Sequence, residues 1–243
     1  MEMTPLAAAL DSAKCVFFDF DGPICRLFAG HPADRVAARL LELLNGRAPR
    51  LLADAAYRPH DPLDVLSAAL RAAPAHELIR TAEDRLSREE QTAARSATPT
   101  PGADALIEEL RRQGRTLAVT SNNSAAAIRV YLRRHGLTDH FSAAHIHGRQ
   151  AHPIRLKPDP DCLWRALEST GTMPGECLMI GDAPSDCAAA DELGVAFVGY
   201  ARTPDKAAAL AGAGARLIVG SMHEMLDAVR GGTAGPPART PDN

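Results

Sequence analysis

A buried strand that ends in two acidic side chains is a severe constraint on a fold, and this chain has one in Val16-Phe17-Phe18-Asp19-Phe20-Asp21-Gly22. The apolar run Val16–Phe18 reads as a strand covered on both faces. Side chains alternate along a strand, so Asp19 and Asp21 start out on the same side. Two like charges this close repel strongly unless a cation lies between them or one of them keeps a proton. Gly22 lets the chain turn away and leaves the strand tip open to a ligand. In an open parallel sheet the strand tips are where ligands bind.

The 243 residues, 46% of them hydrophobic, suffice for one sizeable core and a smaller second unit. Aromatics make up only 4% while Ala and Leu abound, which predicts largely helical packing. A formal net charge of -3 with dispersed basic residues leaves no footprint for nucleic acid. Met1 to Ala13 carries Glu2, no basic segment and a short apolar run, so no signal peptide is expected. No stretch is long enough to span a membrane. The five cysteines (Cys15, Cys25, Cys162, Cys177, Cys187) form no C-x-x-C pair, and an odd, dispersed set fits reduced thiols in a cytoplasmic protein.

Beyond Gly22-Pro23 the periodicity turns helical. Val36 to Leu44 has apolar residues at helical spacing, with Pro32-Ala33-Asp34 as a start signal and Asn45-Gly46 as a stop. Asp61-Pro62 opens a second helix, and a third, heavily charged on one side, runs from about Ala75 to Arg95. Ser96 to Gly102 reads as a linker. Residues 23–97 are therefore expected to form an all-helical insertion. From Pro101 helices alternate with short apolar strands at Thr116–Thr120, Cys177–Ile180, Ala196–Val198 and Arg216–Val219, with a weak strand near Phe141–Ile146. The pattern predicts an α/β fold: a Rossmann-like parallel sheet with both faces covered, made from residues 1–22 and 98–230. Residues 231–243, rich in Gly and Pro, are expected to be a disordered tail.

Several strands end in polar residues of a matching kind. The first ends in Asp19 and Asp21, a second in Thr120-Ser121-Asn122, a third in Gly181-Asp182 with Asp186 four residues on, and Lys157-Pro158-Asp159-Pro160 lies ahead of a helix. A parallel sheet brings all of them to one edge. Such a set suits phosphoryl transfer, which needs charge neutralised, an in-line nucleophile and a proton for the leaving oxygen. Carboxylates and water make an oxygen-rich site for magnesium. One carboxylate can be the nucleophile. Another, with its pKa raised, can supply the proton. Lys157 can balance charge, and Thr120 and free backbone N–H groups after Asp19 can hold phosphate oxygens.

In this order the four motifs Asp19-Phe20-Asp21-Gly22, Val119-Thr120-Ser121-Asn122, Lys157-Pro158-Asp159-Pro160 and Gly181-Asp182 with Asp186 resemble those of the haloacid dehalogenase (HAD) superfamily hydrolases, phosphatase branch. The resemblance covers about residues 14–220, and Pro99-x-Pro101-Gly102 matches the family's return from its cap. It implies a HAD fold in which the insertion is a C1-type helical cap. It further implies a magnesium-dependent phosphatase acting on a small-molecule phosphate monoester, phosphoglycolate- or sugar-phosphate-like, through an aspartyl-phosphate. Asp19 would be nucleophile and metal ligand, and Asp21 general acid and base with its carbonyl on the metal. Lys157 would hold Asp19 and the phosphoryl group. Gly22, Thr120, Ser121 and Asn122 would bind substrate. Asp182 would ligate Mg2+, and Asp186 would do so directly or through water. The chain departs from the family at Pro23-Ile24-Cys25-Arg26, where relatives often carry Thr or Val. That change sits at the hinge into the cap and bears on substrate choice rather than on the chemistry.

Other readings stay open beside this one. A phosphomutase uses the same core, and a non-catalytic HAD-like binding protein would use the cap alone. Dehalogenation is disfavoured because Asp21 supplies an acid that it does not need. His145, His147 and His152 resemble a transition-metal cluster but lack partner ligands at convincing spacing and read as loop histidines. Arg26 reads as a surface charge. Arg149 either touches substrate or fixes a loop. The charges from Glu83 to Glu90 read as a solvated helix face. Oligomeric state is not legible.

Overall fold

The computed structural model describes residues 3–48, 52, 60–151 and 153–232. His152 and the expected tail from 233 onward lie outside the described residues, while Gly231 and Gly232 still belong to the last helix.

A short helix, α1 (Pro5–Ser12), leads into β1 (Cys15–Phe18). The chain then passes through β2 (Cys25–Arg26), three helices, α2 (Ala33–Arg47), α3 (Pro62–Ala72) and α4 (Leu78–Ala94), and β3 (Thr98–Pro99). It continues as α5 (Ala103–Arg112), β4 (Thr116–Ser124), α6 (Ala125–Arg134), β5 (Ile146–Arg149), α7 (Asp161–Thr170), β6 (Cys177–Gly181), α8 (Pro184–Leu193), β7 (Ala196–Tyr200), α9 (Pro204–Gly212), β8 (Leu217–Val219) and α10 (Met222–Gly232).

The sheet runs in the order β5-β4-β1-β6-β7-β8, and every neighbouring pair is parallel. β1 lies in the middle, with Phe18 level with Val119 on one side and Ile180 on the other. The chain visits β4 and β5 on one flank, then β6, β7 and β8 on the other. The direction of winding therefore reverses around β1, which is where a crevice opens beyond the strand tips.

Alternation along the central strands decides what each tip faces. Val16, Phe18, Leu117, Val119, Leu178 and Ile180 join the core formed with α5, α6 and α10. Cys15, Phe17, Ala118, Cys177 and Met179 join the opposite core, with Cys162, Leu163 and Ala166 of α7 and Ala189 and Ala190 of α8. Both faces are apolar, which is why the strands read as unbroken hydrophobic runs. Asp19, one step beyond the odd-numbered series, continues toward the side from which α7 and α8 approach.

α2, α3 and α4 enclose a core of their own, built on Val36, Leu40, Leu44, Val65, Leu66, Ile79 and Leu86. α3 begins where Asp61-Pro62 predicts, its N-cap carboxylate accepting from Leu63 N at 2.8 Å. α4 belongs to both bodies, since Ala93 and Ala94 at its C-terminal end lie in the main core.

Four details differ from the sequence reading. α2 runs through Asn45-Gly46 to Arg47 before it stops. Favourable helical packing of Leu40 and Leu44 carries the last turn past a residue that alone would end it. The supposed linker Ser96–Gly102 contains β3, paired antiparallel with β2, so the way into and out of the helical segment is a two-stranded ribbon. Phe141–Ile146 is not a strand: two short 3-10 turns occupy 138–140 and 143–145, and pairing begins only at Ile146. β4 extends beyond Thr120 to Ser124. Among the described residues no helix is long and apolar enough to cross a membrane.

Candidate active site

The tips of β1, β4 and β6 meet in a cleft of about 340 Å3. The sheet side supplies Asp19, Asp21, Ser121, Asn122, Asn123, Lys157, Asp182, Ser185 and Asp186. The helical segment closes it with Phe28, Asp61, Leu63, Asp64 and Ser67.

Lys157 organises the floor. Its ammonium donates to Asp19 Oδ1 at 2.8 Å and to the Thr120 carbonyl at 2.9 Å, and lies 2.6 Å from Asp186 Oδ1. Asn122 holds the Lys157 backbone at both ends, accepting from its N–H at 2.7 Å and donating to its carbonyl at 3.4 Å. Burial alone would lower the lysine's pKa, but Asp186 and Asp19 outweigh it and keep the ammonium charged well above its usual range.

Asp186, at the third position of α8, accepts from the N–H groups of Asp182 and Ala183 at 3.0 and 3.1 Å through Oδ2. It thereby shapes the loop that carries Asp182. Asp19, Asp182 and Asp186 each offer an oxygen within 4.8 Å of the others. An all-oxygen, all-carboxylate donor set is the kind that a hard divalent cation takes. Asp182 also receives the ammonium of Lys206 from α9. Its carboxylate packs against Gly22, whose φ of 121° and missing Cβ make room for it.

Burial pushes Asp19 up to about 7, with the fields of Asp186 and Asp182 adding to it and Lys157 opposing. Burial likewise pushes Asp21 up to about 7, against the Leu27 N–H that donates to its Oδ1 at 2.9 Å. Lys157 bonds to Asp19 directly, whereas no ammonium reaches Asp21 within ion-pair distance among the described residues. An ammonium thus favours the ionised form of Asp19, while Asp21 has none within ion-pair distance and can hold a proton near neutral pH.

Two sequence-predicted ligands do not reach the cleft as expected. The Thr120 hydroxyl is fully buried and donates to Met179 Sδ at 3.2 Å, so Thr120 offers only its carbonyl to the site. It follows Ala118 in the series facing α7, and the residue that lines the cleft is Ser121, one step on, whose buried hydroxyl donates to Asn123 Oδ1 at 3.2 Å. Gly22 serves the turn, its N–H on the Cys25 carbonyl at 2.7 Å and its own carbonyl on the Thr100 hydroxyl at 2.5 Å.

The charge run from Glu83 to Glu90 is only in part a solvated face, with Asp84, Arg85 and Arg88 exposed. Glu83, Glu89 and Glu90 are buried. Arg149 on β5 reaches Glu90 at 2.9 Å, Glu83 at 3.2 Å and the Asn122 carbonyl at 2.5 Å. Glu90 also accepts from Ser124 N at 2.8 Å and Asn123 Nδ2 at 3.2 Å. Arg149 is therefore a tie between α4 and the end of β4, whose Asn122 holds Lys157. Arg26 is exposed. His145 and His147 bond to the carbonyl and hydroxyl of Ser169 at 3.2 and 2.8 Å, at the end of α7 and away from the carboxylates.

Sequence reading passed over Lys206, Asn123 and Ser185, and did not give Asp61, Asp64 and Ser67 a part in the site. Only Asp61 carried a local signal, as a helix cap. That signal locates the helix and says nothing of what it faces.

A model of the haloacid dehalogenase-like hydrolases matches residues 13–194. Over 212 residues the chain is 31% identical to a phosphoglycolate phosphatase of Rhodospirillum rubrum, covering 79% of this chain and 82% of that one. Over 129 residues it is 29% identical to a phosphoglycolate phosphatase of Vibrio vulnificus, covering 53% of this chain and 55% of the relative. A solved structure described as a predicted phosphatase from Clostridium acetobutylicum superposes with a TM-score of 0.69 at 20% identity, covering 89% of this chain and 98% of that one.

Proposed function

This chain belongs to the haloacid dehalogenase-like hydrolases, and we propose that it is a magnesium-dependent phosphatase that hydrolyses a small phosphate monoester, phosphoglycolate- or sugar-phosphate-like, through an aspartyl-phosphate on Asp19. The observation that carries the reading is the reach of one buried ammonium, Lys157, to both Asp19 and Asp186 at the tip of the central strand. The phosphoglycolate phosphatases among its relatives support the reaction class.

Lys157 occupies Asp19 Oδ1, which leaves Oδ2 as the nucleophilic oxygen. That oxygen forms a bond to phosphorus while the ester oxygen leaves and takes the proton that Asp21 holds. In the second step Asp21, now a carboxylate, takes a proton from water. The water oxygen bonds to phosphorus, inorganic phosphate departs and Asp19 is restored. Lys157 would neutralise charge beside the transferred phosphoryl group, with Asn122 keeping it in place, and backbone N–H groups after Asp19 would hold the phosphoryl oxygens. The helical segment is read as a cap that excludes water during the first step. Asp19, Asp182 and Asp186, with the Asp21 carbonyl, would hold Mg2+, which supplies charge neutralisation at the transferred phosphoryl group.

The test is a phosphate-release screen over many phosphate monoesters with and without magnesium. Release should require the metal and should be abolished by Asp19→Asn in a protein of unchanged thermal midpoint. Near-normal turnover of the best substrate by that variant would contradict the assignment.

A further inference from the structure

The two walls of the cleft differ in a way that bears on which ester it takes, given the phosphatase reading above, on which this inference rests. The floor holds Lys157, already engaged by Asp19, Asp186 and the Thr120 carbonyl. The opposite wall, from α3 and the residue that caps it, presents Asp61, Asp64 and Ser67, with Phe28 and Leu63 beside them. Neither Asp61 nor Asp64 is paired with a cation among the described residues. Asp61 spends Oδ1 on Leu63 N and has Oδ2 left for a ligand.

With its phosphoryl group on the floor, a monoester must point its alcohol portion at α3. A carboxylate or second phosphate placed there would face two like charges, and among the described residues the cation bonded to this wall, Arg71, already donates to the Ser67 hydroxyl at 2.7 Å. Hydroxyl or ammonium groups would find acceptors in the carboxylates of Asp61 and Asp64. A cleft of about 340 Å3 has room for a phosphoryl group and a small alcohol portion beside it.

We propose that Asp61 and Asp64 form the specificity wall of this enzyme, and that it selects phosphate monoesters whose alcohol portion carries hydrogen-bond donors and no anionic group. Phosphoglycolate, whose alcohol portion ends in a carboxylate, is then a poor substrate of this chain despite the names its relatives bear.

The experiment compares kcat/KM of the full chain with magnesium on three esters of similar length: 2-aminoethyl phosphate, glycerol 3-phosphate and phosphoglycolate. The donor-bearing esters should exceed phosphoglycolate by roughly tenfold or more. The ammonium arm against the polyol arm tells whether charge or hydrogen bonding dominates at the wall. Asp61→Asn with Asp64→Asn keeps a good helix cap at position 61 and removes both charges. In that variant kcat/KM should fall for 2-aminoethyl phosphate and rise for phosphoglycolate, mainly through KM. Opposite movements of the two esters cannot come from a general loss of folding. Phosphoglycolate turned over as fast as the other esters by the wild type, or a ratio unmoved in the variant, overturns the wall while leaving the phosphatase reading intact. Failure of every ester in the broader panel to release phosphate overturns both.

Discussion

Loss of solvent pushes Asp21 up to about 7 and no ammonium among the described residues reaches it within ion-pair distance, whereas Asp19 nearby is bound by one. Two consequences can be measured. Turnover of alkyl phosphates, which need a proton on the leaving oxygen, should decline as pH rises above about 7. Asp21→Asn should lose roughly two to four powers of ten on alkyl esters and much less on aryl esters with good leaving groups. The second consequence concerns stability. A carboxyl raised in the folded state binds its proton more tightly there than in the unfolded chain, so its contribution to stability falls as pH climbs from the ordinary carboxylate range through about 7. In the metal-free protein Asp21→Asn should therefore raise the thermal midpoint clearly at about pH 8 and far less at about pH 4. An equal shift at both would show that Asp21 ionises normally. Gly22 is the other sensitive position. Ala there would force a side chain into a φ of 121° and drive its Cβ into the Asp182 carboxylate. Gly22→Ala should cost about 1–3 kcal/mol of stability in urea unfolding and weaken magnesium binding by calorimetry.

At the scale of elements the decisive feature is α4, which belongs to two cores and carries its ion pairs between them. Arg149 and Glu90 are fully buried, so removing one charge strands the other. Arg149→Met should cost about 3–5 kcal/mol. Arg149→Lys, which keeps the charge but loses the fork that spans Glu83, Glu90 and the Asn122 carbonyl, should cost less and still slow turnover by loosening Lys157. Urea unfolding and initial rates on the two variants check both statements. This element also marks a boundary of what the chain's pattern can tell. Helical spacing predicts α4 to within a turn or so, because periodicity is local. Glu83 to Glu90 reads as solvated because the cation that buries it lies on β5, far along the chain. The ribbon of β2 and β3 escapes for a related reason: two residues paired across the whole helical insertion leave no periodic trace.

For the whole molecule, the parallel sheet was legible because strands buried on both faces must be continuously apolar, and the motif-bearing tips then share an edge. Asp19, Lys157, Asp182 and Asp186 could be expected to meet for that reason, and the structure brings their side chains together. Thr120 could not be separated from Ser121 in advance, since the choice between neighbouring residues depends on where β4 ends, and β4 runs to Ser124. Which face α3 turns to the cleft was equally beyond local pattern. What unites the molecule is a strand tip where Asp19, bonded by the Lys157 ammonium, is placed to act as nucleophile beside an Asp21 that has no such partner among the described residues. The most direct measurement of that claim is an acid quench of the protein during turnover of its best ester, followed by peptide mapping of any bound phosphoryl group. The account predicts a hydroxylamine-labile phosphoryl group on the peptide that carries Asp19, absent from Asp19→Asn. Rapid phosphate release by Asp19→Asn, or a phosphoryl group mapped to any other residue, would contradict it.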